Sequence, residues 1–586
     1  MGKADSKLRQ LTMDMKVGET PFAEYPRPQF VRKGKWMSLN GKWDCGVNVP
    51  FPLQSTLSGF EGEVPDKYAY YTTFEYDLPE DKRLLLHFGA VDQICKVYVN
   101  EEEVGEHEGG YLPFSIDISN QVRGKIRHLL HVDITDELSI KYPYGKQTKN
   151  RGGMWYTPVS GIWQTVWLEE VPLQYIQEIK ITPSLHNIDI SIIGNSDAYN
   201  IEISEASIWP KDQVKPEWYK GTEVKSSCRI HDVATINIEN PLCWDPDHPF
   251  LYTMRISTET DEVITYFALR TVSIRRAGWH NRICLNDKPF FLHAVLDQGY
   301  YPEGIFLPNN ERGYDQDILM MKELGFNTLR KHIKIEPPMF YVACDRLGMV
   351  VMQDMVNNSD YSFWRDTIFP TLGFKNFAEY RLRHPKEHRE FFEKHMIDTV
   401  KYLYNFSCIC YYTIFNEGWG QFDSERLYEE LKQLDNTRVV DATSGWFRQF
   451  KSDVFSDHCY FHPVFKSLHR RPIVISEFGG YSYIEKNHTF NAAGNYSYKN
   501  YSDKVDLSEG IRKLYMRDVV KYIKLGCNGS VYTQLCDVED ETNGCYTYDR
   551  KVCKVNRDTM NEIARAIYDT FDKSTRDKTI SIRKEK

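Results

Sequence analysis

The 586-residue chain is longer than one hydrophobic core can serve, and at ~150 residues per domain it calls for about three or four domains. Its net charge is −9 and no block of Lys or Arg stands out except the tail KTISIRKEK, which reads as a frayed terminus, so nucleic acid is not an expected partner. Aromatic residues make up 14%, as suits β-rich proteins and sites that grip flat apolar ligand faces.

The first residues, MGKADSKLRQLTMDMKVGETPF, hold no apolar leader core, and no later run is long enough to span a bilayer; no membrane partner is expected. From about residue 30 to 172 short strands and turns alternate. RLLLHFGAVDQICKVYVN reads as two strands, and GGYLPFSIDIS, HLLHVDIT and QTVWLEEV follow at regular intervals without helical periodicity. This predicts a β-sandwich over 1–172. A second, smaller β-sandwich of immunoglobulin size is predicted over 173–273, from IQEIKITPSL, IDISIIG, YNIEISEA, ATINIEN, LYTMRIST and VITYFALRTVSI.

After RRAGWHNRICLNDKPFFLHAVL the grammar changes. Apolar strands now alternate with amphipathic helical segments. FFLHAVL precedes YDQDILMMKELG, NTLRKH precedes PPMFYVACDRLG, and VVMQDM precedes a long aromatic insertion and then HREFFEKHMIDTVKYLYN. CICYYTIFNE precedes SERLYEELKQLD, and RVVDATSG, DVFSDHCYF and PIVISEFGG follow; GIRKLYMRDVVKYIKLG leads to GSVYTQLCD and RDTMNEIARAIYDTF. Strands covered on both faces read as near-continuous apolar runs. Eight such units predict a (β/α)8 TIM barrel over 274–586, with the fifth and sixth strands lacking a full helix after them. The 13 cysteines form no CxxC pair and no zinc spacing; most read as small buried hydrophobes, and with no leader they fit a reducing cytoplasm. His458 and His462 form no metal constellation, and no metal or cofactor is expected.

Two strand endings share one pattern. TIFNEGWG ends an apolar run in Asn416 and Glu417, and VISEFGG ends another in Glu477. A single Glu at a strand end is commonly solvated or salt-bridged. Two of them, at the carboxyl ends of the fourth and seventh barrel strands, point to one rim of one barrel. A pair of carboxylates in a cleft suits glycoside hydrolysis, with one protonated to serve the leaving oxygen and one ionised to attack or to activate water. His332, Asp297 and Asp354 end strands on the same rim, as ligands for sugar hydroxyls or as orienters of other side chains. Trp446 and Trp419 either stack on a sugar face or pack.

TIFNEGWG and VISEFGG resemble the acid/base and nucleophile motifs of glycoside hydrolase family 2, the β-galactosidase, β-glucuronidase and β-mannosidase family. WMSLNGKWDC, HEGGYLPFSIDIS and VSGIWQTVWLE resemble its amino-terminal sandwich, RICLNDKPFFLHAV its entry to the barrel, and LGFNTLRKH with CDRLGMVVMQDM its second and third strands. The resemblance implies a retaining exo-β-glycosidase with a carbohydrate substrate, Glu417 as acid/base and Glu477 as nucleophile. It places Asn416 at the sugar 2-hydroxyl and Arg330 beside the nucleophile. Tyr460 matches a tyrosine that hydrogen-bonds the nucleophile, with a packed core tyrosine as the competing reading. Several relatives form dimers or tetramers, so a homo-oligomer is possible.

The pattern departs in three places. The first barrel strand runs into LDQGYYPEGIFLP, Gln534 stands where a Trp is often found, and no Asn-x-Lys follows the nucleophile to hold a uronate carboxylate. The NDK at Asn286 precedes the barrel. A neutral glycone, most simply a β-galactoside, is the first expectation; a β-glucuronide, β-galacturonide or β-mannoside is the alternative, and a carbohydrate-binding protein without catalysis is the alternative of another class.

Overall fold

The structure is a computed structural model that describes residues 21–576 apart from 197, 205–221, 230–232, 373, 375–378, 380–381, 461–469 and 492–493. The basic tail and His462 therefore lie outside the described residues.

Two sheets of four antiparallel strands form the amino-terminal sandwich. One aligns Phe114–Asp117, Lys82–Phe88, Val166–Pro172 and Trp36–Ser38; the other aligns Lys67–Glu75, Arg127–Thr135, Ile94–Val99 and Glu102–Glu108. Leu84, Leu86, Val97, Val99, Leu130, Val132 and Leu168 meet between them. Alternation decides which residues turn inward, because successive side chains of a strand point to opposite faces.

The same rule builds the second sandwich. In Asn187–Gly194, Ile188, Ile190 and Ile192 are buried while the residues between them face out. A three-stranded sheet packs here on a five-stranded one, whose edge is Val31–Arg32, borrowed from the start of the described chain and paired with Glu262–Phe267. The run VITYFALRTVSI is not one strand. It divides into Glu262–Phe267 and Val272–Ala277, and the second half joins a hairpin leading into the barrel. The buried Arg270 between them donates to the carbonyls of Ser407 (2.7 Å) and Ile409 (3.0 Å), which turns the chain onto the barrel.

Eight parallel strands then close nearly into a barrel: β1 Leu292–Asp297, β2 Thr328–Lys331, β3 Val350–Asp354, β4 Ile409–Asn416, β5 Val439–Ser444, β6 Phe455–Cys459, β7 Ile473–Gly479 and β8 Cys527–Thr533. Every residue of β1 to β8 is buried, which is why most of these strands read as near-continuous apolar runs. The longer helices among the described residues are α1 Arg312–Glu323, α2 Pro338–Leu347, α3 Lys386–Leu403, α4 Ser424–Leu434, α5 Lys504–Tyr515 and α6 Arg557–Arg576. Local chemistry fixes their ends: Pro338 opens α2 and left-handed Gly348 closes it, and the Asp503 carboxylate caps α5 by accepting from the Val505 and Asp506 amides.

No helix separates β5 from β6 among the described residues. Between those two strands side chains do the joining, with Ser456 Oγ donating to Thr443 O (3.1 Å) and Asp441 Oδ1 (3.0 Å).

Candidate active site

β4 lies between β3 and β5, so its register carries Asn416 to the barrel rim. Glu417 and Gly418 then turn with φ of +55° and +75°. A glutamate in the left-handed region costs roughly 1 kcal/mol, and the fold holds it there by an amide bond from Glu417 N to Ser444 O (2.9 Å). Gly418 has to be glycine, since a Cβ would lie 1.9 Å from the Phe447 ring. The Glu417 carboxyl is thereby aimed at His458, with Oε1 2.9 Å from Nδ1.

Glu477 stands on β7 with both oxygens occupied. Oε1 accepts from Arg330 Nη1 (3.0 Å) and Oε2 from Tyr460 Oη (2.8 Å). The fully buried Arg330 on β2 organises its surroundings with one planar guanidinium. It donates from Nε to Asp354 Oδ1 (2.9 Å), from Nη1 to Ser476 O as well as Glu477, and from Nη2 to Asn416 Oδ1 (2.9 Å). Because Asn416 Oδ1 is engaged, its Nδ2 is the end left to donate to a ligand.

The ring of His458 spans the two glutamates. Nε2 lies 3.5 Å from Glu477 Oε1 and 3.1 Å from Ser444 Oγ. One ring nitrogen of His458 and one oxygen of each carboxylate offer three ligand atoms that all lie within 4.8 Å of one another. That trio is a possible cation cage by spacing. A cation there would occupy the space between the carboxylates that a reacting carbon needs, so acid–base chemistry is the simpler use of the geometry.

Electrostatics separates the groups. Burial raises the Glu417 pKa against the opposing pull of Lys146, His332 and Arg330. Burial acts the same way on Asp354, but Arg330 and His332 outweigh it and hold that carboxyl below its usual range. Burial pushes His458 down to about 3, so its ring is neutral near pH 7, and burial also lowers His332.

Of the residues singled out in the sequence, Arg330, Asn416, Glu477, Tyr460 and Asp354 form one continuous hydrogen-bond network, and His458 joins Glu417 to it. His332 reaches the network by donating from Nδ1 to the ionised Asp354 Oδ2 (2.8 Å). Asp297 is turned elsewhere: it pairs with Lys331 Nζ (2.7 Å) and accepts from Gly299 N (2.9 Å). Trp446 lies edge-on to His458 at 5.1 Å and donates from Nε1 to Asp366 O. Trp419 is 1% exposed among Tyr144, Trp155 and Tyr361, so it packs and offers no face to a sugar.

Residue-level reading of the sequence weighed His458 only as a metal ligand and did not single out Lys146 or Glu541. His458 and Tyr460 are two apart on β6 and its end, so strand alternation put both on one face; that signal was available. Lys146 comes from a loop of the first sandwich and Glu541 from the loop after β8. Tyr156, from that same sandwich loop, donates to Glu541 Oε2, and Asn543 Nδ2 donates to Oε1 (2.9 Å). No local pattern announces either residue.

Three family models match the chain: glycosyl hydrolases family 2, sugar binding domain, over residues 34–172; glycosyl hydrolases family 2 over 174–270; and glycosyl hydrolases family 2, TIM barrel domain, over 280–492. A β-galactosidase of Thermoanaerobacter pseudethanolicus is 28% identical over 287 residues, 47% of this chain and 37% of that protein. A putative β-glucuronidase of Formosa agariphila is 28% identical over 289 residues, 48% of this chain and 33% of that protein. The chain thus spans about a third of the length of these curated relatives. Among solved structures, a β-D-glucuronidase of Dictyoglomus thermophilum shares the fold with a TM-score of 0.71 at 17% identity, covering 93% of this chain and 98% of that one. A family 2 β-galacturonidase from Eisenbergiella tayi gives 0.66 at 17% identity, covering 92% and 98%.

Proposed function

The chain belongs to glycosyl hydrolases family 2, and on that footing we propose that it is a retaining exo-β-glycosidase that removes terminal β-linked sugars through a covalent glycosyl-enzyme. The observation that carries this reading is the closeness of Glu417 and Glu477, an oxygen of each lying within 4.8 Å of the other. Retaining enzymes hold their carboxyl groups ~5–5.5 Å apart, whereas inverting enzymes leave room for a water at ~6.5–9.5 Å.

Glu477 attacks the anomeric carbon. Its two donors, Arg330 and Tyr460, fix the attacking carboxylate in place. Glu417, whose proton is favoured by burial, protonates the leaving oxygen and then, as carboxylate, takes a proton from the water that hydrolyses the ester. Asn416 Nδ2 donates to the sugar 2-hydroxyl as positive charge develops at the ring.

The mouth favours action at chain ends. Loop residues of the first sandwich interlock with the insertion after β3: Tyr144 N and Gly145 N donate to Asn357 O, and Tyr144 Oη donates to Ser359 O (2.8 Å). Trp155 packs edge-on to Tyr361 at 5.0 Å across the same seam. A neutral, β-galactoside-like glycone is the first reading, because the buried Glu541 carboxylate, already raised by burial and by Glu477, would oppose another anion. A uronide is the second reading, favoured by the Lys146 cation facing Glu417 and Glu541.

A panel of p-nitrophenyl β-glycosides, neutral and uronic, tests both the activity and the glycone. Turnover of none of them would leave a sugar-binding protein without catalysis. Glu477→Gln should keep the fold and lose roughly a thousandfold or more in kcat; a variant near the wild-type rate removes the nucleophile assignment.

The cysteines described are free thiols, which suits a reducing compartment such as the cytoplasm. Among the described residues no helix is long and apolar enough to cross a membrane.

A further inference from the structure

His458 has no part in the mechanism above, yet it touches both glutamates. It sits on β6 with 2% exposure, and the missing side chain of Gly445 makes room for it: a Cβ there would lie 3.1 Å from the ring. Nδ1 is 2.9 Å from Glu417 Oε1, while Nε2 faces Ser444 Oγ at 3.1 Å and Glu477 Oε1 at 3.5 Å.

We propose that His458 is a positioning residue that keeps the proton on Glu417 in the resting enzyme, its single N–H lying on Nε2 and its bare Nδ1 accepting the Glu417 O–H. This rests on the assignment of Glu417 as acid and Glu477 as nucleophile. Several charged or titratable side chains face the ring. They are Glu417 from the turn after β4, Glu477 from β7, Arg330 and His332 from β2, and Asp457 and Tyr460 from β6 and its end. Burial, with Arg330 and His332 adding to it, outweighs the carboxylates and leaves the imidazole neutral.

A neutral imidazole has one N–H and one bare nitrogen. With the hydrogen on Nδ1, bare Nε2 could accept from the Ser444 hydroxyl (3.1 Å) but would face the Glu477 carboxylate at 3.5 Å, lone pair to anion. With the hydrogen on Nε2, that contact becomes favourable and Nδ1 is bare. A bare nitrogen 2.9 Å from Glu417 Oε1 is an attraction only when that oxygen carries a proton. Arg330 and Tyr460 already satisfy Glu477 as the anion, so the proton falls to Glu417. One ring therefore gives the two carboxyls opposite protonation states. When a glycosidic oxygen arrives it replaces Nδ1 as the acceptor of the same proton.

The tautomer is read directly by nitrogen-15 NMR of the wild-type imidazole, with the His458 signals identified by their loss in His458→Phe or, if that variant does not fold, in His458→Gln. A bare Nδ1 and a protonated Nε2 are expected; the opposite tautomer overturns the proposal. Carbon-13 NMR of side-chain-labelled glutamate, with Glu417 identified by Glu417→Gln, reads the second consequence. In folded His458→Phe the Glu417 midpoint should fall by about one pH unit, a tenfold weaker hold on the proton. The alkaline limb of kcat/KM should move with it. An unchanged or raised midpoint overturns the proposal. Both NMR readings are independent of turnover, so a wild-type protein that hydrolyses no β-glycoside would sink the glycosidase reading and leave the His458 result to be judged on its own.

Discussion

Glu417 and Glu477 are the same residue type on the same rim, and what separates them is their neighbours. Two donors face the oxygens of Glu477, from Arg330 and Tyr460, while Glu417 meets a neutral ring nitrogen. Tyr460→Phe isolates one of those donors, because the ring stays and only the hydroxyl goes. The lost bond to Glu477 Oε2 should lower kcat by about 100-fold, the scale of one donor to a developing or attacking anion. Steady-state kinetics alongside a melting curve decides it; an unchanged kcat would mean that Tyr460 merely packs on Tyr498, whose ring stacks on it at 3.8 Å. A complementary test uses the leaving group. Glu417→Ala should cost an alkyl or sugar leaving group roughly 1,000-fold and a dinitrophenyl one ~10-fold or less, since a good leaving group needs no proton. Equal losses on both substrates would count against the acid role.

At the scale of an element, the turn after β4 is the part that sequence patterns describe least and the site needs most. Three residues in four from Glu417 to Gly420 have positive φ, and Gly418 abuts Phe447. Gly418→Ala should therefore destabilise the fold by about 1–3 kcal/mol and shift the carboxyl of Glu417. Its signature is selective: hydrolysis that needs acid help should fall at least tenfold further than that of a dinitrophenyl glycoside. A parallel loss on both would place the damage elsewhere. The strands themselves were readable because burial on both faces writes apolar runs, and the missing helix between β5 and β6 was readable because RVVDATSG and DVFSDHCYF stand close together. The division of VITYFALRTVSI was not readable. Its cause is Arg270 bonding to carbonyls of Ser407 and Ile409, more than a hundred residues away, and a pattern with period two carries no record of such a partner. The partner of Asp297 was unreadable for a related reason: its strand-end position is visible in the sequence, but the Lys331 that pairs with its carboxylate ends a different strand, β2.

Across the whole molecule, the sandwich completes the barrel's mouth. Tyr156 donates to Glu541, Thr157 N donates to the Glu539 carboxylate (3.1 Å), and Trp155 packs on Trp419 at 5.2 Å. The same loop brings Lys146 into the field of the acid, and its ammonium also lies 5.7 Å from the centre of the Trp155 ring. Lys146 opposes the burial of Glu417 by favouring its charged form. Lys146→Met removes that charge and keeps most of the side-chain length, so the sign of the effect is fixed. Without the cation the ionised form of Glu417 is less favourable, its pKa rises further, and the acid stays protonated to higher pH. The alkaline limb of kcat/KM should therefore move upward by about half a pH unit, a threefold change in proton affinity. This is opposite in direction to the shift expected for His458→Phe, so the two variants together distinguish a nearby cation from a proton acceptor. If the glycone is a uronide that Lys146 also contacts, KM for uronides should rise at least tenfold while KM for neutral glycosides changes little. A limb that stays in place, or moves down, would show that the sandwich closes the pocket without tuning its acid.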